Sequence, residues 1–152
     1  NDNANGQVVI SGSAGAIVAA GDAMKAAGAK RALPLPVSAP FHCSLMQPAA
    51  DAMAQALATA TIDAPSLPVV ANVLAASYAD PSQTADLLVR QVTGRVRWRE
   101  SVEWMAGQGV TELVELGAGA VLGGLTKRIV SDVTAQSVGT ADGLKGFAES
   151  LR

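Results

Sequence analysis

An α/β fold is predicted for this chain, on three observations. From residue 67 onward, short β-branched runs alternate with helical patterns, the arrangement that lays helices on a parallel sheet. Thr111 to Leu116 (TELVEL), the turn Gly117-Ala118-Gly119-Ala120 and the apolar stretch after it read as a complete strand–turn–helix. Residues 7–37 read as a separate β-α-β, part of a small α+β unit.

Each element has a local reason. Asn1 to Gly6 (NDNANG) is polar and turn-like. Gln7 to Ser11 (QVVIS) is short and β-branched, so a strand. After the turn Gly12-Ser13-Ala14-Gly15, the apolar positions Ile17, Ala20, Met24 and Ala27 recur near a 3.6 period, with Gly28 as a stop; this predicts a helix over 16–27. Arg31 to Val37 is expected to be a second extended segment. Leu45, Ala49, Ala52, Met53, Ala56, Leu57 and Ala60 share one helical face, and Pro48 is tolerable only in the first turn of that helix. Val69 to Val73 is a buried-type strand. Asp80-Pro81-Ser82 is a helix start, with Asp80 as cap and Pro81 at the first helical position. That helix runs to about Val92 and is broken by Thr93-Gly94-Arg95. Trp98 to Ala106 is the next helix, closed by Gly107-Gln108-Gly109. Val121 to Val130 is a helix whose Lys127 and Arg128 suit its C-terminal dipole. Thr134 to Val138 and Ala141 to Leu151 are the last strand and helix.

Composition bounds the function. The 152 residues suit one domain or a substantial piece of one. Hydrophobic residues make up 49% and aromatics 3%, so the core is aliphatic. A formal charge of −2 without a Lys/Arg cluster gives no electrostatic footprint for nucleic acid. No apolar run approaches the ~20 residues of a membrane span. One cysteine forms no internal disulfide, which fits a reducing compartment, and a cytoplasmic protein is expected. One histidine and one cysteine do not make the usual zinc clusters, and no metal or cofactor is called for.

The chemistry-bearing stretch is Leu33 to Met46 (LPLPVSAPFHCSLM), which holds both of these single residues. Pro34, Pro36 and Pro40 forbid regular helix before Phe41, and helical period begins at Leu45. His42 therefore stands where an extended segment turns into a helix, a place where catalytic side chains concentrate. A general base needs a nucleophile and a group to orient its other nitrogen. No Gly-x-Ser-x-Gly elbow is present. Cys43 is a nucleophile by type, but neighbouring side chains seldom face each other, and a small part-buried thiol is the better reading. Gly117-Ala118-Gly119 before a helix has the elements of a phosphate cradle, yet three residues read as a plain turn. Asn72 and Gln91, at element ends, cannot be told from surface polars by spacing.

At His42 a family pattern enters. LPVSAPFHCSLM resembles the histidine segment of the malonyl-CoA:acyl carrier protein transacylases of bacterial fatty acid synthesis. GAKRALPLPVSAPFH, VVANV, LLVRQVTGRVRWRESVEWM and VELGAGAVLGGLTKRI look like the same family, in its order and separations. The resemblance implies a large α/β-hydrolase-like subdomain with a small ferredoxin-like subdomain inserted in it. Residues 1–36 would then be the C-terminal part of the small subdomain, and 37–152 the C-terminal part of the large one. The family's nucleophilic serine, its malonyl-binding arginine and its oxyanion-hole glutamine lie upstream, so the chain looks like the C-terminal half of the enzyme. The resemblance makes His42 the catalytic histidine of a ping-pong transfer from malonyl-CoA to acyl carrier protein. It gives Gln91 a backbone carbonyl that orients the imidazole and places Asn72 near it. It makes Phe41 the residue that goes with malonyl over methylmalonyl. The expected partners are malonyl-CoA, acyl carrier protein and the missing N-terminal half of the same enzyme, monomeric when complete, with no nucleic acid and no membrane. An acyltransferase module of a polyketide synthase, and a fragment inert as isolated, are the alternatives. One departure is Gly117-Ala118-Gly119, where the family has Gly-Pro-Gly; Ala118 lacks the fixed φ of proline.

Overall fold

Residues 1–151 are described in a computed structural model. The chain begins with an antiparallel hairpin of β1 (Asp2–Ala4) and β2 (Gln7–Val8). Asn5-Gly6 makes its turn, and Gly6 takes the φ of +73° that such turns demand. The strand expected over Gln7 to Ser11 is therefore shorter, and it pairs back onto residues read as a polar turn. Helix α1 (Ala14–Ala26) forms as expected.

The strand expected over Arg31 to Val37 is absent: these residues pair with no strand among the described residues. Pro34 and Pro36 have no N–H to give to a ladder. The Val37 N–H donates instead to the Leu35 carbonyl at 2.9 Å. The opening β-α-β is thus corrected to a hairpin, a helix and an unpaired run.

Two compact units make up the chain: Asn1 with Val9–Val96, and Asp2–Val8 with the residues from Arg97 onward. In the first, a 3-10 turn at Ser44–Met46 leads into α2 (Gln47–Leu57), with Pro48 in its first turn. Strands β3 (Val70–Ala71) and β4 (Ala76–Ser77) form a second antiparallel hairpin. The Asp80 carboxylate accepts the Ser82 N–H at 2.9 Å and starts a 3-10 turn at Pro81–Gln83 that runs into α3 (Thr84–Thr93). Helix α3 packs on α2. The buried apolar residues here are Ala50, Ala75 and Leu87.

The second unit holds α4 (Trp98–Gly107), β5 (Glu112–Leu116), α5 (Val121–Thr126), β6 (Thr134–Val138) and α6 (Ala141–Ser150). Strands β5 and β6 pair in parallel, from Glu112↔Thr134 to Leu116↔Val138, with α5 as the crossover. This is the α/β unit that the alternation predicts, but among the described residues the parallel layer is confined to these two strands. The Val69 to Val73 strand, expected to share it, pairs antiparallel with β4.

Helix α5 stops at Thr126, short of the expected Val130. The Arg128 N–H donates to Leu125 and the Ile129 N–H to Thr126, both at 2.9 Å, so the last turn tightens. Arg128 is engaged with the β1–β2 turn: Nη2 donates to the Asn5 carbonyl at 3.0 Å, and Asn5 Nδ2 donates back to the Arg128 carbonyl at 3.2 Å. Arg99 on α4 forks onto Asp2 at 3.0 and 2.6 Å and reaches Glu103 at 2.9 Å, which ties β1 to α4. Ala4, Val102, Leu125 and Val133 are the buried apolar residues, and the buried Thr126 hydroxyl donates to the Leu122 carbonyl at 2.9 Å.

Candidate functional site

Local sequence fixes His42 before any distant contact does. Pro40 holds the chain in a tight approach, where the Phe41 N–H donates to the Ala39 carbonyl at 2.9 Å. Cys43 is extended, at φ −144° and ψ 172°, and leads into the 3-10 turn. Between them the chain must reverse within one residue, and His42 takes the left-handed conformation at φ +61°. Histidine is among the few non-glycine residues enriched there, at a cost of about 1–2 kcal/mol. Such strain persists only where the surroundings over-determine it. Cys43 Sγ donates to the Pro40 carbonyl at 3.1 Å, so the thiol braces this turn and does not face the imidazole.

The end of α3 supplies the partner. His42 Nδ1 lies 3.1 Å from the Gly94 carbonyl oxygen. Gly94 comes directly after the last residue of α3 with ψ 143°, which swings its carbonyl off the helix axis. A carbonyl only accepts, so Nδ1 carries the proton and Nε2 of the neutral ring has a free lone pair. No hydroxyl or thiol among the described residues hydrogen-bonds Nε2.

Gln91 and Asn72 do come together beside His42, but not through the Gln91 backbone. That expectation is corrected: the carbonyl at Nδ1 is Gly94's, because α3 runs on past Gln91 before releasing a carbonyl. The Gln91 side chain reaches the same oxygen: its Nε2 donates to the Gly94 carbonyl at 3.1 Å. Asn72 Nδ2 donates to Gln91 Oε1 and, at 3.0 Å, to the Arg95 carbonyl. The network orients itself. The Asn72 atom facing the Arg95 carbonyl must be nitrogen, so the Gln91 atom facing Asn72 is oxygen, and Gln91 Nε2 falls to Gly94. Phe41, 46% exposed, stands one residue before His42. Spacing does not single out Gly94 beyond its marking a helix stop, since a backbone carbonyl carries no residue-type signal.

The glycine turn before α5 is closed by the chain itself. Glu115 accepts the Gly123 N–H at 3.1 Å, the Leu122 N–H at 3.2 Å and the Ser137 hydroxyl at 3.0 Å. These donors, the Gly123 N–H foremost, hold its carboxyl below the usual range. The plain-turn reading of Gly117-Ala118-Gly119 fits this arrangement. Among the described residues, no three His, Cys, Asp or Glu gather as metal ligands, and no helix is long and apolar enough to cross a membrane.

A part-buried imidazole with one nitrogen tied to the backbone and the other free is the arrangement of a general base. Solved structures similar to this chain include acyl-carrier-protein S-malonyltransferases, a class whose fold is α/β-hydrolase-like. One, an acyl-carrier-protein-S-malonyltransferase from Bartonella henselae, matches with a TM-score of 0.85 and 50% identity over 92% of this chain and 45% of its own. Another, from the complex of a type II PKS acyl-carrier protein with its malonyl-transacylase, matches with a TM-score of 0.85 and 47% identity over 91% of this chain and 45% of its own. The chain is homologous to the C-terminal half of the malonyl CoA-acyl carrier protein transacylases. The Salmonella typhimurium transacylase is 55% identical over 138 residues, 91% of this chain and 45% of the relative. That of Haemophilus influenzae is 46% identical over 151 residues, 99% of this chain and 48% of the relative. The chain thus spans about half the length of the curated relatives it matches. No protein-family model matches it.

Proposed function

We propose that this chain is the histidine-bearing half of a transacylase that moves malonyl from malonyl-CoA to the phosphopantetheine thiol of acyl carrier protein, in cytoplasmic fatty acid biosynthesis. The observation that carries the reading is His42 itself, with Nδ1 bonded to the Gly94 carbonyl and Nε2 free. In this reading a serine outside the chain is the nucleophile. His42 Nε2 takes the serine proton as the hydroxyl attacks the malonyl thioester, then returns it to the departing CoA thiolate. A malonyl-serine ester remains. The carrier thiol gives its proton to the same nitrogen and attacks the ester, and the serine oxygen leaves with that proton. The neutral Gly94 carbonyl stands where a Ser-His-Asp triad has its carboxylate. Phe41 fills the space an α-methyl group would need. The complete enzyme is monomeric, and acyl carrier protein and the remaining half of the enzyme are the macromolecular partners.

The same reading divides the chain into 1–36 as the end of a ferredoxin-like subdomain and 37–152 as the end of the α/β-hydrolase-like one. Of the first stretch, residues 9–36 share a compact unit with residues 37–96, whereas the β1–β2 hairpin belongs to the unit that resumes at Arg97. The relatives carry the transacylase name and do not favour the alternative of a polyketide synthase module.

The test is His42→Ala in an enzyme whose C-terminal half is this chain. Transfer from malonyl-CoA to acyl carrier protein should fall by a factor on the order of 10²–10⁴. Transfer at the unsubstituted rate would overturn the assignment.

A further inference from the structure

We infer that the side chain of Gln91, held by Asn72, is a positioning residue for His42 that acts through the Gly94 carbonyl and fixes which ring nitrogen carries the proton. The inference rests on reading His42 as the base, and it goes past the family resemblance, which gives Gln91 a role through its backbone alone.

The Gly94 oxygen receives two donors, His42 Nδ1 and Gln91 Nε2, each at 3.1 Å. A carbonyl has two lone pairs, so this one is filled and its direction is set by both bonds. The Gln91 amide has one orientation, because Asn72 Nδ2 presents it with a donor on the other side. The same Asn72 nitrogen holds the next carbonyl, that of Arg95, at 3.0 Å. The Gly94–Arg95 segment is therefore gripped at two successive carbonyl oxygens by one pair of amides. Gly94 needs this grip. It lies just past the last turn of α3 with an extended ψ, and nothing in the helix ladder fixes where its carbonyl points. The Gly94 N–H, bonded to the Arg90 carbonyl at 2.9 Å, anchors only the near side of the residue.

The consequence is a tautomer. In water the proton of a neutral imidazole prefers Nε2, which would leave no base facing a nucleophile. A hydrogen bond of ordinary worth from Nδ1–H to a fixed carbonyl moves that balance about tenfold towards Nδ1–H. If the carbonyl wanders, the bond and the preference are lost together. Linked amides polarise one another, so loss of either amide is felt at the ring.

The chain has one histidine, so its two ring nitrogens are read without ambiguity by 15N NMR at alkaline pH, where imidazole is neutral. In the unsubstituted chain the Nδ1–H form should predominate, with a ratio to Nε2–H about tenfold above that of free imidazole. In Gln91→Met, similar in length but without an N–H donor, the ratio should fall back towards that of free imidazole while the backbone amide spectrum stays that of a folded chain. An unchanged ratio in Gln91→Met, the result expected if only its backbone served, would overturn the inference. So would an Nε2–H form in the unsubstituted chain. Should Gln91→Met not fold, Asn72→Asp decides. Its carboxylate draws the Gln91 amide round and turns Oε1 against the Gly94 carbonyl, so the ratio should fall, and a retained ratio would overturn the inference. The tautomer is read without transfer. An intact Nδ1–H preference governed by Gln91 in a protein that moves no malonyl would remove the proposed function and leave this inference standing.

Discussion

Leu87→Ala is the sharpest test of how the site is carried. Leu87 lies on α3, 4% exposed, on the helix that carries Gln91 and is followed at once by Gly94. Truncating a leucine buried this deeply removes its transfer free energy and leaves a cavity, together about 2–5 kcal/mol. That is a large part of the 5–15 kcal/mol typical of whole domains. For a chain of this length each kcal/mol moves Tm by about 2–4 °C, so a fall of roughly 4–20 °C is expected. Leu88, the next residue, is 47% exposed and provides the matched control. Its truncation forfeits only part of the transfer term, about 1 kcal/mol or less, and alanine favours helix slightly more than leucine does. Urea or thermal unfolding, monitored on the ring protons of the single histidine, reports the unit that holds both residues. Equal losses at the two positions would refute the claim that burial on this helix face holds the site.

Three further outcomes are expected. The Glu115 carboxyl is held below the ordinary glutamate value of 4.5 by the Gly123 and Leu122 N–H groups and the Ser137 hydroxyl. Its stabilising contribution is complete above that value and is lost as pH falls through the lower folded one. Glu115→Gln should therefore lower stability at neutral pH and flatten the acid limb; a stability curve parallel to that of the unsubstituted chain would contradict the capping role. Gly117 has φ +136°, a region side chains rarely enter, so Gly117→Ala should cost about 1–3 kcal/mol in urea unfolding. In the complete enzyme, Phe41→Ala should raise kcat/KM for methylmalonyl-CoA relative to malonyl-CoA by about tenfold or more, the usual worth of making room for one methyl group; an unchanged ratio would make Phe41 a packing residue.

Much of this structure is legible in the residues, for reasons that differ by element. Asp80-Pro81 announces the approach to α3 because a carboxylate cap and a proline leave the chain few other choices. TELVEL and the run beyond it are legible because strand, glycine turn and helix succeed one another within one local segment. The β1–β2 hairpin is not legible: Asp2, Asn3 and Asn5 are poor strand formers, although Asn5-Gly6 is a strong turn signal. The Arg31 to Val37 run looks extended in sequence, but a strand needs a neighbour, and composition does not supply one. At the site, a lone histidine among prolines stands out. Its orienting group does not, because that group is a main-chain oxygen whose position depends on where α3 stops and on amides 19 residues apart.

The unpaired run has a consequence for how this chain behaves in concentrated solution. Leu33, Leu35 and Val37 are 71%, 52% and 60% exposed, and they alternate with Pro34 and Pro36. In an extended chain, alternate N–H groups point to opposite edges. Both prolines would fall on one edge, which then has no donors, while the other keeps those of Leu33 and Leu35, the Val37 N–H being engaged with the Leu35 carbonyl. Such a segment can accept a neighbouring strand on one side only. Two molecules meeting there would form a terminated pair, and the proline edge would block the third strand from which a fibril grows.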